Sequence, residues 1–113
     1  MRLSRLRTRP DFLRVAAGRR KWVTPGLILQ ARRSDHPEDQ CRVGFTASRK
    51  VGPAVARNRA RRRLRAAVAE VMPRLGERGM DYVVIARAET VKRPYALILS
   101  DLETALTGIA RRG

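Results

Sequence analysis

The stretch RVGFTASRKVGPAVARNRARRRLR, residues 42–65, changes period halfway along, and that change decides the fold. Val43, Phe45 and Ala47 alternate with Gly44, Thr46 and Ser48, the period-two pattern of a half-buried strand. From Pro53 onward the period is helical, with Leu64, Ala67, Val68, Val71 and Met72 at three- and four-residue steps. Pro73 is expected to end or kink that helix, and Gly76 to close any last turn. Tyr82, Val83, Val84, Ile85 and Ala86 then form a continuous apolar run between Asp81 and Arg87, as in a strand buried on both faces. A strand, a helix and a second strand in that order predict two parallel neighbours in one sheet.

Outward from this core, a short helix is expected from near Thr8, with Pro10 in its first turn and Asp11 favourable to the helix dipole, to Gly18. Trp22 to Thr24 reads as a short extended piece, Leu27 to Leu29 as a strand, and Ser34 to Gln40 as a polar reversal. Pro94 opens a last helix whose stripe is Ile98, Leu102, Ala105, Leu106 and Ile109. The order αβββαβα describes an α/β (α+β) two-layer sandwich on a four-stranded mixed sheet, one domain over residues 1–113. No internal repeat interrupts it.

A chain of 113 residues with 43% apolar content can bury one modest core. No run approaches the roughly 18 apolar residues of a membrane helix, and no signal-type apolar core follows Arg2, Arg5, Arg7 and Arg9. A cytoplasmic protein is expected. Cys41, the sole cysteine, reads as a small packed hydrophobe. The charge is +16 from 26 basic and 10 acidic residues, and 23 of the cations are Arg, which grips phosphate with a planar fork and stacks on bases. The cations are unevenly spread. Residues 1–33 hold 10 of them against Asp11 alone, and residues 42–69 hold 9 with no acid. From Glu77 onward the signs nearly balance, so polyanion-facing surface precedes scaffold.

Six arginines fall within the nine residues Arg57 to Arg65. At about 100° per residue, Asn58, Arg59, Arg62 and Arg65 project away from the apolar stripe, whereas Arg57 and Arg61 fall near it. An unpaired charge there is expensive unless the first turns overhang the sheet, which is the reading adopted. Such an overhang would present a positive helix N-terminus to an anion. The arginine run alone favours nucleic acid, but a solvated helix face or a localisation-type segment would carry a similar run.

Its setting is more specific. Arg42-Val43-Gly44-Phe45-Thr46-Ala47-Ser48-Arg49-Lys50-Val51-Gly52, followed two residues later by Val55-Ala56-Arg57-Asn58-Arg59, resembles the signature block of the bacterial ribonuclease P protein. Leu3 to Phe12 and Asp81 to Arg87 are similar to that family's entry to its first helix and its last strand. The resemblance implies a ribosomal protein S5 domain 2-like fold and the protein subunit of a ribonucleoprotein endoribonuclease that matures tRNA 5′ ends. It assigns Arg57, Asn58, Arg59, Arg61, Arg62 and Arg65 to contact with the ribonuclease P RNA. It assigns Phe12, Thr46, Ser48, Arg49 and Lys50 to the 5′ leader of precursor tRNA, in a cleft between the first helix and one sheet face. Phe12 reads equally well as core packing, and Ser48 as a solvated strand residue.

The resemblance also implies that the RNA catalyses hydrolysis with Mg²⁺ held mainly by RNA phosphates, and that the protein has no catalytic or metal-binding residue of its own. His36, the only histidine, lies in the polar loop without a placeable carboxylate, and Glu70 is the lone acid mid-chain. No membrane or small-molecule substrate is expected. The sequence departs from the family at Ala16, where a second aromatic is common, and Trp22 is read either as its replacement or as a partly buried anchor. Two other readings share the composition: a structural RNA-binding protein of the ribosomal kind, and a DNA-binding protein docking the arginine helix in a groove.

Overall fold

The computed structural model describes residues 2–35 and 40–112. Its first helix, α1 (Arg9–Ala17), begins where Thr8 accepts the Asp11 N–H and ends at Gly18. The strands are β1 (Arg2–Arg5), β2 (Arg20–Val23), β3 (Leu27–Arg33), β4 (Gln40–Thr46) and β5 (Met80–Ala86). Helices α2 (Ala54–Leu75) and α3 (Tyr95–Arg112) complete the order, with 3₁₀ turns over Arg49–Val51 and Ala88–Val91. The described residues form one mixed sheet ordered β1-β4-β5-β3-β2, in which β5 pairs parallel with β4 and antiparallel with β3.

The α+β class and the parallel pairing match the sequence reading, but the sheet has five strands instead of four. Arg2-Leu3-Ser4-Arg5 pairs parallel with β4 from Arg2↔Gln40 to Arg5↔Val43. With one apolar residue in four it has no apolar face to reveal a strand. It is held chiefly by backbone hydrogen bonds, so no side-chain period marks it. Helix α2 also runs past Pro73 by two residues. In a last turn that proline forfeits only one intrahelical bond, and the helix stops at Gly76, whose N–H donates to the Met72 carbonyl at 2.8 Å.

Strand alternation divides the core. One sheet face presents Leu27, Leu29, Ala31, Cys41, Val43, Met80, Tyr82, Val84 and Ala86 to the stripes of α2 and α3. The other presents Val83 and Ile85 to Leu6, Phe12 and Val15, from α1 and the segment before it. Every residue of the predicted stripes is buried, including Leu64 and Ile98 with no exposure at all. Leu64→Ala should cost roughly 2 to 5 kcal/mol, read as a lowered midpoint in urea unfolding with an unchanged m-value. An effect below about 1 kcal/mol would mean that Leu64 does not pack where the stripe puts it.

A buried polar knot ties the β2–β3 turn to α3. Asp101 takes two hydrogen bonds from Arg93, 2.7 Å from Nε and 3.1 Å from Nη2, and a third from the Gly26 N–H at 2.9 Å. Thr90 donates to the Gly26 carbonyl at 2.6 Å and accepts from the Arg87 N–H at 2.8 Å. Gly26 has to be glycine, because a Cβ there would stand 2.4 Å from Asp101 Oδ2.

Candidate RNA-binding surfaces

Helix α2 opens at Pro53 with no side-chain cap, and its first buried residue is Ala60. The turns before Ala60 therefore project beyond the core, leaving Val55 78% exposed. Asn58, Arg59, Arg62 and Arg65 are exposed, on the side the helical wheel assigns them. Arg57 and Arg61 are half-buried, and each finds a local acceptor. Arg57 folds back to the Gly52 carbonyl at 3.2 Å, and Arg61 donates to Asn58 Oδ1 at 3.1 Å. That second bond uses the Asn58 oxygen and leaves its amide N–H groups as donors. Arg63 donates to the Arg93 carbonyl and fastens α2 to the approach of α3. The Arg65 guanidinium lies 5.9 Å from the Phe45 ring centroid, at the outer limit of a cation–π contact.

The second surface is the sheet face under α1. Phe12 is half-buried against Leu6, Val15, Val83 and Ile85. The Cε1–Cζ edge of its ring meets Gly44, where a Cβ would stand 2.5 Å from both atoms. A glycine inside a strand signals such close approach, and this was the signal for Gly44 that alternation alone passed over. Thr46 lies two residues further along the same face, half-buried and in register with Ile85. Ile85 is in turn beside Ile28, and Ile28 beside Val23, which is 51% exposed. The result is a row crossing four strands, apolar on three of them and closed by Thr46 on the fourth. Ser48, Arg49 and Lys50 stand exposed where β4 ends, and Ser48 Oγ accepts the Lys50 N–H at 3.3 Å. Of the residues the resemblance gives to the leader, Phe12 and Thr46 lie on this face, while Ser48, Arg49 and Lys50 follow the end of β4.

An ion-pair cluster seats α1 there. Arg42 binds Asp81 through two hydrogen bonds of 2.8 and 2.7 Å and lies 3.8 Å from Asp11. Hydrogen bonds from Thr8 and Arg14 hold the Asp11 carboxyl below the ordinary carboxylate range. The folded-state pKa being depressed, this small contribution is present above the usual carboxylate pKa and fades as pH falls through the lowered one.

Trp22 belongs to the opposite face and does not replace the aromatic absent at Ala16. A Cβ on Gly108 would be 2.7 Å from Cζ2, Cζ3 and Cη2 alike, a point over the ring instead of at its edge. The indole therefore lies flat on α3 as an anchor. Cys41 is fully buried and burial pushes its thiol up to about 12, so it is no nucleophile at neutral pH. His36 lies outside the described residues. Among the described residues no three His, Cys, Asp or Glu side chains gather as metal ligands, and no helix is long and apolar enough to cross a membrane.

Comparison with known proteins places this architecture. The ribonuclease P protein component of Paramagnetospirillum magneticum is 62% identical over 108 residues, covering 93% of this chain and 81% of that protein. The ribonuclease P protein component of Gluconacetobacter diazotrophicus is 46% identical over 112 residues, covering 99% and 96%. Among solved structures, the RNase P protein from Thermotoga maritima superposes with a TM-score of 0.75 at 26% identity, over 95% of this chain and 96% of that one. Since the family model for ribonuclease P also matches residues 1–110, nearly the full length, the chain belongs to the ribonuclease P protein family.

Proposed function

We propose that the chain binds the ribonuclease P RNA through the exposed face of α2 and the 5′ leader of precursor tRNA across the sheet face under α1. The carrying observation is that one small domain sets two cation-bordered surfaces on opposite layers. One is an arginine-rich helix suited to a folded phosphate backbone. The other is the row Val23, Ile28, Ile85 and Thr46 beside Phe12, suited to unpaired nucleotides. On this reading Arg57, Asn58, Arg59, Arg61, Arg62 and Arg65 hold the RNA subunit, and Phe12, Thr46, Ser48, Arg49 and Lys50 hold the leader.

Hydrolysis at the tRNA 5′ end belongs to the RNA in this proposal, with Mg²⁺ on RNA phosphates. The described part of the protein offers no ligand cluster for the ion. The chain's own contribution is to neutralise phosphates and fix the leader. It would act in the cytoplasm, where tRNA precursors are processed.

Reconstitution tests this. With a bacterial ribonuclease P RNA at low Mg²⁺, the protein should restore 5′ processing and tighten precursor tRNA by about tenfold more than mature tRNA, the equivalent of one stacked base. Equal tightening of both would remove the leader from the sheet face. Failure to restore processing would remove the subunit assignment as well.

A further inference from the structure

Besides its buried stripe, α2 carries a second line of residues at helical spacing, Arg59, Arg62, Arg63 and Ala66, on the flank turned toward α3. Together with Tyr95, the first residue of α3, they line an open groove of about 340 Å³. That volume lies within the range of small-ligand sites, roughly 300 to 1,000 Å³. Three features give the groove a chemistry.

First, its lining carries three arginines. Arg59 and Arg63 are like charges four residues apart, a destabilising arrangement, and no acid lines the groove. Second, Arg63 is already committed to the Arg93 carbonyl and works as a strut, which leaves the exposed Arg59 and Arg62 to meet a ligand. Third, the Tyr95 hydroxyl donates to Glu70 Oε2 at 3.1 Å, fixing the far end of the ring. Ala66 provides a floor with no bulk. Guanidinium forks beside a tethered aromatic ring suit a phosphate and a base together, the combination that recognises unstacked RNA.

We infer that the Arg59–Arg62–Tyr95 groove seats one unpaired nucleotide of the RNA subunit, its base stacked on the Tyr95 ring and its phosphate gripped by the two guanidiniums. This rests on the reading of α2 as an RNA contact and adds a stacking residue from a different helix. It also divides the labour on that surface. The arginines supply salt-sensitive attraction, and Tyr95 supplies a contact that salt leaves alone.

The experiment uses the full chain and a ribonuclease P RNA transcript, measuring affinity across a salt series together with the melting temperature. Tyr95→Leu should weaken binding about 5- to 100-fold, the worth of one stacked base, with the slope of log K against log salt unchanged. Tyr95→Trp should bind at least as well as the unaltered protein. Ala66→Leu fills the groove while keeping Tyr95 and every arginine in the sequence, and should weaken binding like Tyr95→Leu at an unchanged melting temperature. In the complex, one unpaired nucleotide of the RNA should become open to chemical modification with either Leu variant. Unaltered affinity in both Leu variants, or a Tyr95→Trp protein as weak as Tyr95→Leu, overturns the nucleotide seat. If those variants are silent while Arg59→Ala with Arg62→Ala is not, the seat alone fails. If the arginine variant is silent too, the RNA-contact reading of α2 fails with it.

Discussion

Asp101→Ala should remove about 3 to 5 kcal/mol of stability, a large part of the 5 to 15 typical of a whole domain. The Asp101 carboxylate is buried and is the acceptor for both Arg93 and the Gly26 N–H. Its loss strands a mostly covered guanidinium and a buried amide at once. The amide alone costs about 1 to 3 kcal/mol without a partner. Asp101→Asn keeps an acceptor oxygen and should lose distinctly less. Chemical unfolding of the three proteins checks this. Equal losses in the two variants would mean that shape at this position matters and the acceptor does not.

The largest functional effect is expected from Arg59→Ala with Arg62→Ala. Both side chains are exposed, so the melting temperature should stay within a degree or two. A charge-assisted hydrogen bond is worth roughly 1.5 to 3 kcal/mol, so affinity for the RNA subunit should fall by about tenfold per arginine at the least. The salt slope should flatten by about one for each phosphate that no longer meets an arginine. Filter binding at several salt concentrations measures both quantities. An unfolded double variant would mean that these arginines hold the fold together, and unchanged affinity would mean that this face of α2 meets no RNA.

The sequence revealed whatever the hydrophobic effect imposes periodically. The buried stripes of α2 and α3, the doubly buried β5 and the parallel β4–β5 pair follow from which residues must leave water. The outward set Asn58, Arg59, Arg62 and Arg65 follows as their complement. Contacts without a local period were not legible. The strand β1 rests on main-chain bonds to a partner 38 positions away, and its side chains alternate without an apolar face. Arg57 looked badly placed because a wheel cannot show the Gly52 carbonyl that receives it. Nothing in the sequence singles out Tyr95 until α3 is laid beside α2, and Trp22 was ambiguous until its ring was seen flat on Gly108. The leader face was legible in part, since Thr46 sits on the predicted side of its strand, whereas Ser48, read as a strand residue, lies past the end of β4 and caps the 3₁₀ turn. The aromatic at Phe12 needed the docking of α1 to acquire a place there.

The central position of β5 has a consequence for biosynthesis. To one side of it lie β3 and β2, an antiparallel pair, and to the other β4 and β1, and only β5 joins the two halves. Its residues are the last of the sheet to leave the ribosome, after the whole of α2 has emerged. The nascent chain therefore exposes its arginine helix to the surrounding RNA before the strand that closes its core exists. During that interval the cationic segment is open to a polyanion while the sheet still lacks its central strand.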